Sequence, residues 1–490
     1  MTIQTLPFTS LISIDRSSAT PIFNQLANEL TKLIRQGKIR PGDQLPSSRD
    51  MAAIIKLNRT TVIAAYDELR YQGWLEVMGT KGMFVPRQLP LIEPLGFKSE
   101  NPLTDRAPIP DFYRQISFDR PPYREVKPYH LMINDGHPDP RVAPINSILN
   151  RYKTLLTKAY LHGQLLTGSA AGSTSLRSEL ASFLSKTRAL NIESENVLVT
   201  HGAQLAIYIA ANLILKPGSR VIVADMNYIL ADKLFEQLGA KLVKVQVDQY
   251  GIDVDVIEEI CKRSRPDLLY IIPHHHHPTT VTLSAERRMK LLDIIRRYQL
   301  PVIEDDYDYD FHYNNSPILP LASAEHNGYV LYVGSISKTL APSIRLGYLV
   351  GSTDFIQQAL RLKQLVEIRG DILFEGSVAH LFNSGEMQRH LNRSVKLYRQ
   401  RRDRFCQLLK ASLGDLVQFT APQGGMAVWI IFPEEYSVAE LSNRMYTKGV
   451  YMSDGATYRY SDTVNGIRVG FASLDNDEME TFAQALAQVK

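Results

Sequence analysis

One short segment of this 490-residue chain combines residue types that can do covalent chemistry. Lys338 follows Ser335 and Ser337, and Arg345 lies seven positions further on. A lysine amine forms a Schiff base with an aldehyde, while serine hydroxyls and a guanidinium can hold a phosphate group. Pyridoxal 5′-phosphate (PLP) carries both an aldehyde and a phosphate. We therefore predict a PLP site in which Lys338 is the covalent lysine and Ser335, Ser337 and Arg345 bind the cofactor.

An acidic run lies 33 residues before this lysine, directly after the apolar residues 301–303. In this run, a buried Asp305 could hold a protonated pyridine nitrogen, which makes the ring an electron sink. Tyr307 could hydrogen-bond the oxygen of the ring's 3-hydroxyl group. A solvated acidic turn or a divalent-metal site is the alternative for residues 304–308, and the nearby lysine segment favours the pyridine interpretation.

A small loop also follows the apolar run at residues 197–199 and opens a helix. Backbone N–H groups and the helix dipole at such a position suit a phosphate. The sequence therefore predicts further cofactor contacts from Gly202, Ala203 and Gln204.

Short apolar runs alternate with helical segments from Leu131 onward. This alternation predicts an α/β domain with a mostly parallel sheet and helices on both faces, whose ligands bind at the carboxyl ends of the strands. The candidate residues each follow one of these runs. The runs are residues 197–199, 220–223, 268–272, 301–303 and 330–333.

The first ninety residues show a different pattern. Apolar residues at helical spacing predict a helix over 21–36, a second helix from an N-cap at Ser47 to about residue 57, and a third over 59–72 capped by Asn58. Residues 74–77 and 83–85 predict two strands around Gly79-Thr80-Lys81-Gly82. Three helices followed by a β-ribbon with a basic tip are typical of a winged helix-turn-helix.

In that fold the start of the third helix faces the bases of DNA. The polar residues Asn58, Arg59, Thr60 and Thr61 occupy this position. Arg49, which opens the second helix, can reach a phosphate or a guanine, and the wing residue Lys81 can reach the backbone or the minor groove. The sequence therefore predicts a double-stranded DNA operator as a partner.

Charge and composition agree with this division. Residues 1–90 hold 11 Lys/Arg and 7 Asp/Glu, so the whole net charge of +4 lies there, although an excess of four charges is small. Cys261 and Cys406 make neither a disulfide framework nor a metal site. Neither a membrane-spanning run nor a secretory signal is found, which favours a cytoplasmic protein without a membrane partner.

We predict three regions: a DNA-binding domain over residues 15–86, a proline-rich linker over 87–130 and a cofactor-binding domain over 131–490. Four consecutive histidines, 274–277, suggest a metal site. Alternate residues of an extended segment point to opposite faces, however, so we expect no metal there.

Two resemblances sharpen these expectations. The segment PIFNQLANELTKLIRQGKIRPGDQLPSSRDMAAIIKLNRTTVIAAYDELRYQGWLEV resembles a GntR-type winged helix. The segments PHHHHPTTVTLSAERR, VIEDDYDYDFHY and VGSISKTLAPSIRLGY resemble a fold-type I aminotransferase with large and small subdomains. Together they resemble MocR/GabR-type regulators, which fuse these two domains.

The resemblance implies the roles given above for Lys338, Asp305 and Tyr307, and it places Arg345 with Ser335 at the phosphate. It further implies DNA contact at Gly82, a ring near the cofactor at Tyr228, a polar group near the 3-hydroxyl at His277 and a carboxylate-binding arginine at Arg468. The chain departs from the family at three places: Asn227 replaces a glycine, Leu230 stands where some relatives carry a second arginine, and Thr280 replaces a glycine.

The favoured hypothesis is a PLP-dependent transcriptional regulator that senses an amino compound through aldimine chemistry at Lys338. The family also implies a head-to-tail homodimer. Two alternatives stay open: an active aminotransferase with an accessory winged helix, and a DNA-binding protein whose aminotransferase-like half is only a dimerisation scaffold.

Overall fold

The structure is a computed structural model that describes residues 6–89, 130–158, 168–313, 318–458 and 465–489. The chain divides into two units, Met1–Arg114 and Gln115–Lys490. The predicted linker, 87–130, lies outside the described residues except for residues 87–89 and 130.

The N-terminal unit is a three-helix domain with a two-stranded ribbon. Its core includes residues that are spaced at helical intervals in the sequence, such as Leu26, Leu30 and Leu69, which are fully buried. Its elements are α1 (Phe8–Leu11), α2 (Ile22–Arg35), α3 (Ser48–Ile55), α4 (Arg59–Tyr71), β1 (Glu76–Val77) and β2 (Met83–Phe84).

Local details both confirm and correct the sequence analysis of this unit. Ser47 is the N-cap of α3, and its hydroxyl accepts a hydrogen bond from the backbone N–H of Asp50 at 3.2 Å. Asn58 occupies the N-cap position of α4, but its side chain makes no capping hydrogen bond. The first wing strand is shorter than predicted, because Trp74 and Leu75 are buried in the core rather than paired with β2.

The C-terminal unit contains thirteen named strands among its described residues. They are β3 (Leu131–Met132), β4 (Val197–Thr200), β5 (Arg220–Ala224), β6 (Lys241–Val245), β7 (Val247–Asp248), β8 (Gly251–Ile252), β9 (Leu268–Ile271), β10 (Val302–Asp306), β11 (Val330–Ser335), β12 (Gly347–Val350), β13 (Ala427–Ile431), β14 (Val450–Tyr451) and β15 (Gly466–Gly470).

The helices of this unit alternate with the strands in its first half and dominate its second half. They are α5 (Ile145–Leu156), α6 (Thr174–Arg188), α7 (Ala203–Ile214), α8 (Ile229–Gln237), α9 (Val254–Arg263), α10 (Ala285–Tyr298), α11 (Thr353–Val366), α12 (Ile372–Asn383), α13 (Glu386–Leu413), α14 (Val438–Thr447) and α15 (Asn476–Val489).

Seven strands form the central sheet in the order β4-β12-β11-β10-β9-β5-β6. All neighbouring pairs are parallel except those of β12, which is antiparallel to β4 and β11. Val221 and Val223 pack in one core with α7 and α8, whereas Ile222 between them packs in another core with α9 and α10. The mostly parallel sheet with helices on both faces is therefore confirmed.

The acidic run is part of this sheet rather than a turn. β10 continues through Glu304, Asp305 and Asp306, and all three are almost completely buried. The sequence predicted only residues 301–303 as a strand, because three consecutive carboxylates are unusual in a buried strand. Each of them is held by hydrogen bonds from neighbouring elements; Glu304, for example, accepts the backbone N–H groups of Leu321 and Ala322.

Candidate functional site

The parallel strands end at one edge of the sheet, and this edge brings the predicted cofactor residues together. Gly202 follows β4, Tyr228 follows β5, His277 follows β9, Asp305 lies near the end of β10 and Lys338 follows β11. Since the carboxyl ends of parallel strands meet at the same edge, residues more than 130 positions apart in sequence become neighbours.

Asp305 is a buried carboxylate at this edge whose two oxygens have different surroundings. Its Oδ2 accepts a hydrogen bond of 2.7 Å from the hydroxyl of Tyr270, on neighbouring β9. Its Oδ1 is buried and has no hydrogen-bond partner in the described part of the chain. Burial raises the pKa of Asp305 to about 7, against the opposing hydrogen bond from Tyr270. The free oxygen can accept a proton or a hydrogen bond from a ligand.

Lys338 is half-buried, and its Nζ donates to the carbonyl oxygen of Gly136 at 3.0 Å. The same Nζ lies 5.9 Å from the ring centre of Tyr307. Burial lowers the pKa of Lys338, and the positive charges of Arg468 and Arg345 lower it further. A lysine with a lowered pKa carries more of its amine in the neutral, nucleophilic form.

Tyr307 and Arg468 form a hydrogen-bonded pair beside the lysine. Arg468 Nη2 donates to the Tyr307 hydroxyl at 3.0 Å, and that hydroxyl donates to the carbonyl oxygen of His275 at 2.9 Å. Arg468 also donates from Nε to Asp135 and from Nη1 to Pro278. A guanidinium has five N–H groups, so one on each terminal nitrogen has no acceptor among the described residues and is left for a ligand.

The opposite end of the site is a tight turn between β4 and α7. Gly202 has φ +81°, and a Cβ there would lie 2.5 Å from Arg345 Nη2, so the guanidinium lies directly against this turn. A Cβ at Gly347, the first residue of β12, would lie 2.7 Å from the backbone nitrogen of Ala203. Only glycines allow this close packing, which leaves the exposed Arg345 beside the N-terminus of α7.

The two serines of the lysine segment have different surroundings. Ser335 ends β11 and is half-buried. Ser337 is buried, and its hydroxyl donates to the carbonyl oxygen of Ile344 and accepts from the backbone N–H of Leu346. The geometry gives Ser337 the role of closing the 337–346 loop, so Ser335 is better placed for a ligand.

At the turn between β4 and α7, Gln204 is half-buried, and its Nε2 donates to the carbonyl oxygen of Leu230 at 3.4 Å.

The histidine run forms a turn rather than the extended segment assumed in the sequence analysis. His275 has φ +47°, and His274, His275 and His276 are all buried. His274 Nδ1 lies 3.1 Å from Asp306, and His275 Nδ1 lies 2.8 Å from Asp308. Within the described ranges, no group of three His, Cys, Asp or Glu side chains could hold a metal ion.

His277 and Tyr228 lie together at this edge. Their rings contact edge to face, with centroids 5.5 Å apart, and His277 Nε2 lies 3.7 Å from Asp135 Oδ2. Burial lowers the pKa of His277. The sequence predicted both residues beside the cofactor ring, and the structure places both within the cluster that contains Asp135 and Arg468.

The residues at this edge fit PLP. An unpartnered buried carboxylate oxygen suits the ring nitrogen, a nucleophilic lysine suits the aldehyde, and an arginine beside a helix N-terminus suits the phosphate. The sequence did not indicate roles for Tyr270, Asp135 and Gly136, which contact Asp305, Arg468 and Lys338 respectively. A tyrosine inside an otherwise apolar buried strand was the one signal for Tyr270.

Most of the predicted DNA-facing residues of the N-terminal unit are exposed. Arg59 opens α4, and its Nε lies 3.5 Å from the hydroxyl of Ser48 at the start of α3. The starts of α3 and α4 are therefore adjacent. The exposed residues are Arg49, Asn58, Arg59, Thr60, Lys81 and Gly82, and Thr61 is half-buried.

Comparisons with known proteins agree with the two kinds of domain. The family "Aminotransferase class I and II" matches residues 150–486, and "Bacterial regulatory proteins, gntR family" matches residues 23–85. The chain is 26% identical over 492 residues to the HTH-type transcriptional regulator YisV of Bacillus subtilis, covering 96% of both chains. It is 26% identical over 478 residues to the probable rhizopine catabolism regulatory protein MocR of Rhizobium meliloti, covering 96% of this chain and 94% of that protein.

Among solved structures, the chain is similar to the α-aminoadipate aminotransferase LysN of Thermus thermophilus, crystallised with N-(5′-phosphopyridoxyl)-L-leucine. The TM-score is 0.68 at 26% identity, covering 73% of this chain and 91% of that one.

The fold and the site thus define an aminotransferase-type domain joined to a winged helix. The chain belongs to the aminotransferase class I and II family, and it is a GntR-type regulator fused to an aminotransferase domain, as in MocR-type regulators. None of its described helices is long and apolar enough to cross a membrane.

Proposed function

We propose that this regulator binds PLP at Lys338 and responds to an amino compound that competes for the cofactor's aldehyde. The observation that carries the proposal is the buried, unpartnered Oδ1 of Asp305 at the same sheet edge as Lys338. An unpaired buried carboxylate oxygen is costly in a folded protein, and a ligand that donates to it removes this cost.

The residues of the chain divide the work of holding the cofactor. Asp305 accepts from the ring nitrogen, Tyr307 and His277 face the 3-hydroxyl, and Tyr228 packs near the ring. Arg345, Ser335 and the backbone at Gly202–Gln204 hold the phosphate. When bound, PLP supplies an aldehyde carbon that primary amines attack and a ring that withdraws electrons.

The effector is proposed to be an amino compound with a carboxylate. Arg468 is 2% exposed and retains an N–H on each terminal nitrogen, the arrangement that a bidentate carboxylate requires. A ligand carboxylate would bind these two N–H groups beside the hydrogen bond to Tyr307, and the ionic contact is made only when Arg468 holds this position. The effector therefore interacts differently with two states of the site, which allosteric control requires.

The output is proposed to be operator binding by the N-terminal unit of a homodimer in the cytoplasm. The exposed starts of α3 and α4 support DNA contact. Leu365 and Ile368, which are 85% and 78% exposed, support a subunit interface on the C-terminal unit. Analytical ultracentrifugation tests the dimer, and a monomer at micromolar concentration would reject it.

The first test is an absorption spectrum of the purified protein with PLP, for wild type and Lys338→Ala, together with a mobility shift on the DNA upstream of its own gene. We expect a visible band that depends on Lys338, and specific DNA binding by wild type. The absence of the band would reject cofactor binding, and the absence of DNA binding with or without PLP would reject the regulator.

A second candidate function is catalytic transamination. It is favoured by the lowered pKa of Lys338, caused by burial, since a lysine that is more readily deprotonated can act as a general base. Steady turnover of an amino acid with a keto acid at about 1 per second or faster would support the enzyme. Formation of the band without such turnover supports the sensor.

A further inference from the structure

Strand β10 carries two consecutive carboxylates, and each is held by a tyrosine from a neighbouring strand. Tyr270, on β9, donates to Asp305 Oδ2 at 2.7 Å, and Tyr332, on β11, donates to Asp306 Oδ2 at 2.9 Å. All four residues are almost completely buried. Because consecutive strand residues point to opposite faces, the two pairs lie on opposite sides of the sheet.

The register of the strands confirms this separation. Tyr270 pairs with Ile303, two residues from Asp305 and on the same face, whereas Tyr332 pairs with Glu304, two residues from Asp306. Tyr270 and Ile303 pack in the core formed with α7 and α8. Tyr332 packs in the core formed with α6 and α13.

The two carboxylates differ in their second oxygen. Asp306 Oδ1 lies 3.1 Å from His274 Nδ1, so both of its oxygens have partners within the protein. Asp305 Oδ1 has none among the described residues. The Tyr270 hydroxyl therefore occupies one oxygen of Asp305 and leaves the other as the acceptor for a ligand.

Tyr270 is itself well fixed for this role. It is fully buried, and its ring contacts Phe235 edge to face, with centroids 5.5 Å apart. Burial and the negative charge of Asp305 raise the pKa of Tyr270 well above its usual value. The phenol thus stays protonated and can only serve Asp305 as a donor.

We propose that Tyr270 is a positioning residue of the cofactor site, which fixes the Asp305 carboxylate and favours its ionised form so that Oδ1 binds the pyridine nitrogen. This inference rests on the proposed function, because it requires PLP to bind. Its chemical consequence is that the protein binds the ring nitrogen through a pair of residues, Tyr270 and Asp305. Removal of the hydroxyl favours the neutral carboxyl group, which is the weaker partner for a protonated pyridine.

The test is Tyr270→Phe, measured by titrating the full-length protein with PLP and following the visible band. Tyr332→Phe is the matched control, since it removes an equally buried hydroxyl from the adjacent carboxylate on the other face. Both variants are also titrated with the PLP analogue in which carbon replaces the ring nitrogen. Thermal melts followed by circular dichroism are the control that each variant is folded.

We expect Tyr270→Phe to weaken PLP binding roughly 10- to 100-fold, the range of a hydrogen bond to a charged group. Binding of the carbon analogue should stay within about 2-fold of wild type, and Tyr332→Phe should leave the affinity for both ligands unchanged. The difference in PLP affinity between Tyr270→Phe and wild type should become smaller at low pH, where Asp305 is protonated in wild type as well.

Two results would overturn the inference. Equal PLP affinity of Tyr270→Phe and wild type would show that the hydroxyl has no role in the cofactor site. An equal loss for PLP and the carbon analogue would show a general packing defect rather than a role at the nitrogen. If wild type itself binds no PLP, the proposed function fails first, so the two failures are distinguishable.

Discussion

The two units of this chain hold their functional groups in opposite surroundings. In the C-terminal unit Asp305 and Arg468 are almost completely buried, and each makes specific hydrogen bonds to the protein. In the N-terminal unit Arg49 and Arg59 are exposed on the ends of two helices. A substitution at the sheet edge should therefore change both folding and ligand binding, whereas one on the winged helix should change DNA binding alone.

The largest effect is expected at Asp306, on the face of β10 away from the cofactor site. Burial alone would raise the pKa of Asp306, but His274 and Arg188 together hold it at about 2. Asp306→Asn removes these interactions and should lower the free energy of unfolding by about 3 kcal/mol, as measured by urea denaturation.

The same interactions make the stability of the fold depend on pH. The folded pKa of about 2 lies below the ordinary value of 3.8, so this stabilisation is present above pH 4 and is lost as the pH falls towards 2. A variant as stable as wild type at pH 7, with the same acid denaturation, would contradict the structural role of Asp306.

On the winged helix we expect Arg59→Ala to weaken operator binding by about 1–3 kcal/mol, which is about 5- to 150-fold, without a change in thermal stability. Lys32→Ala is the control, since Lys32 is an exposed lysine of α2 whose ion pair with Glu29 is 3.4 Å long. Equal losses from both variants in a fluorescence anisotropy titration would mean that general charge, rather than the start of α4, governs binding.

Asp305→Asn should change the stability of the cofactor-free protein and its affinity for PLP in opposite directions. The pKa of Asp305 is raised by burial to about 7, above its ordinary value of 3.8, so ionisation destabilises the cofactor-free fold as pH rises from about 4 to 7. The amide removes this cost and should stabilise the cofactor-free protein by about 1–2 kcal/mol at pH 8.

The same variant should bind PLP more weakly, because an amide cannot carry the negative charge that pairs with a protonated pyridine. Denaturation with and without PLP measures both effects together. A cofactor-free variant less stable than wild type, with unchanged PLP affinity, would make Asp305 an ordinary structural residue and remove the contrast with Asp306.

The smallest effect is expected at the wing. Lys81 is exposed at the tip of the β1–β2 ribbon, where a phosphate contact is exchanged with counterions. Lys81→Ala should weaken binding several-fold on every DNA sequence and reduce the slope of log affinity against log salt by about 1. A change of sequence preference would instead place Lys81 at a base edge.

Much of this molecule could be predicted from local pattern. The helices α2 to α4 follow apolar spacing, the end of α3 near Lys56 was predicted to within a few residues, and the strands β4, β5, β9 and β11 follow short apolar runs. Lys338, Asp305 and Arg345 could be chosen from residue type and order. Such features depend on neighbours in sequence, so a single sequence carries them.

The remaining features depend on contacts between distant segments. The sequence did not predict the burial of the whole acidic run, the turn at His274–His277 or the small β13–β15 sheet that carries Arg468. A residue's hydrogen-bond partners come from other strands, and no spacing rule specifies them.

The sequence by itself therefore indicated the two kinds of domain, the candidate covalent lysine and the candidate partners of the cofactor. Only the tertiary structure decided which of two adjacent aspartates keeps a free oxygen. Both are buried carboxylates on one strand. Their difference arises because Tyr332 and His274 satisfy Asp306, whereas among the described residues only Tyr270 binds Asp305. The physical reason is that strand alternation turns neighbours in sequence toward different cores, where different side chains meet them.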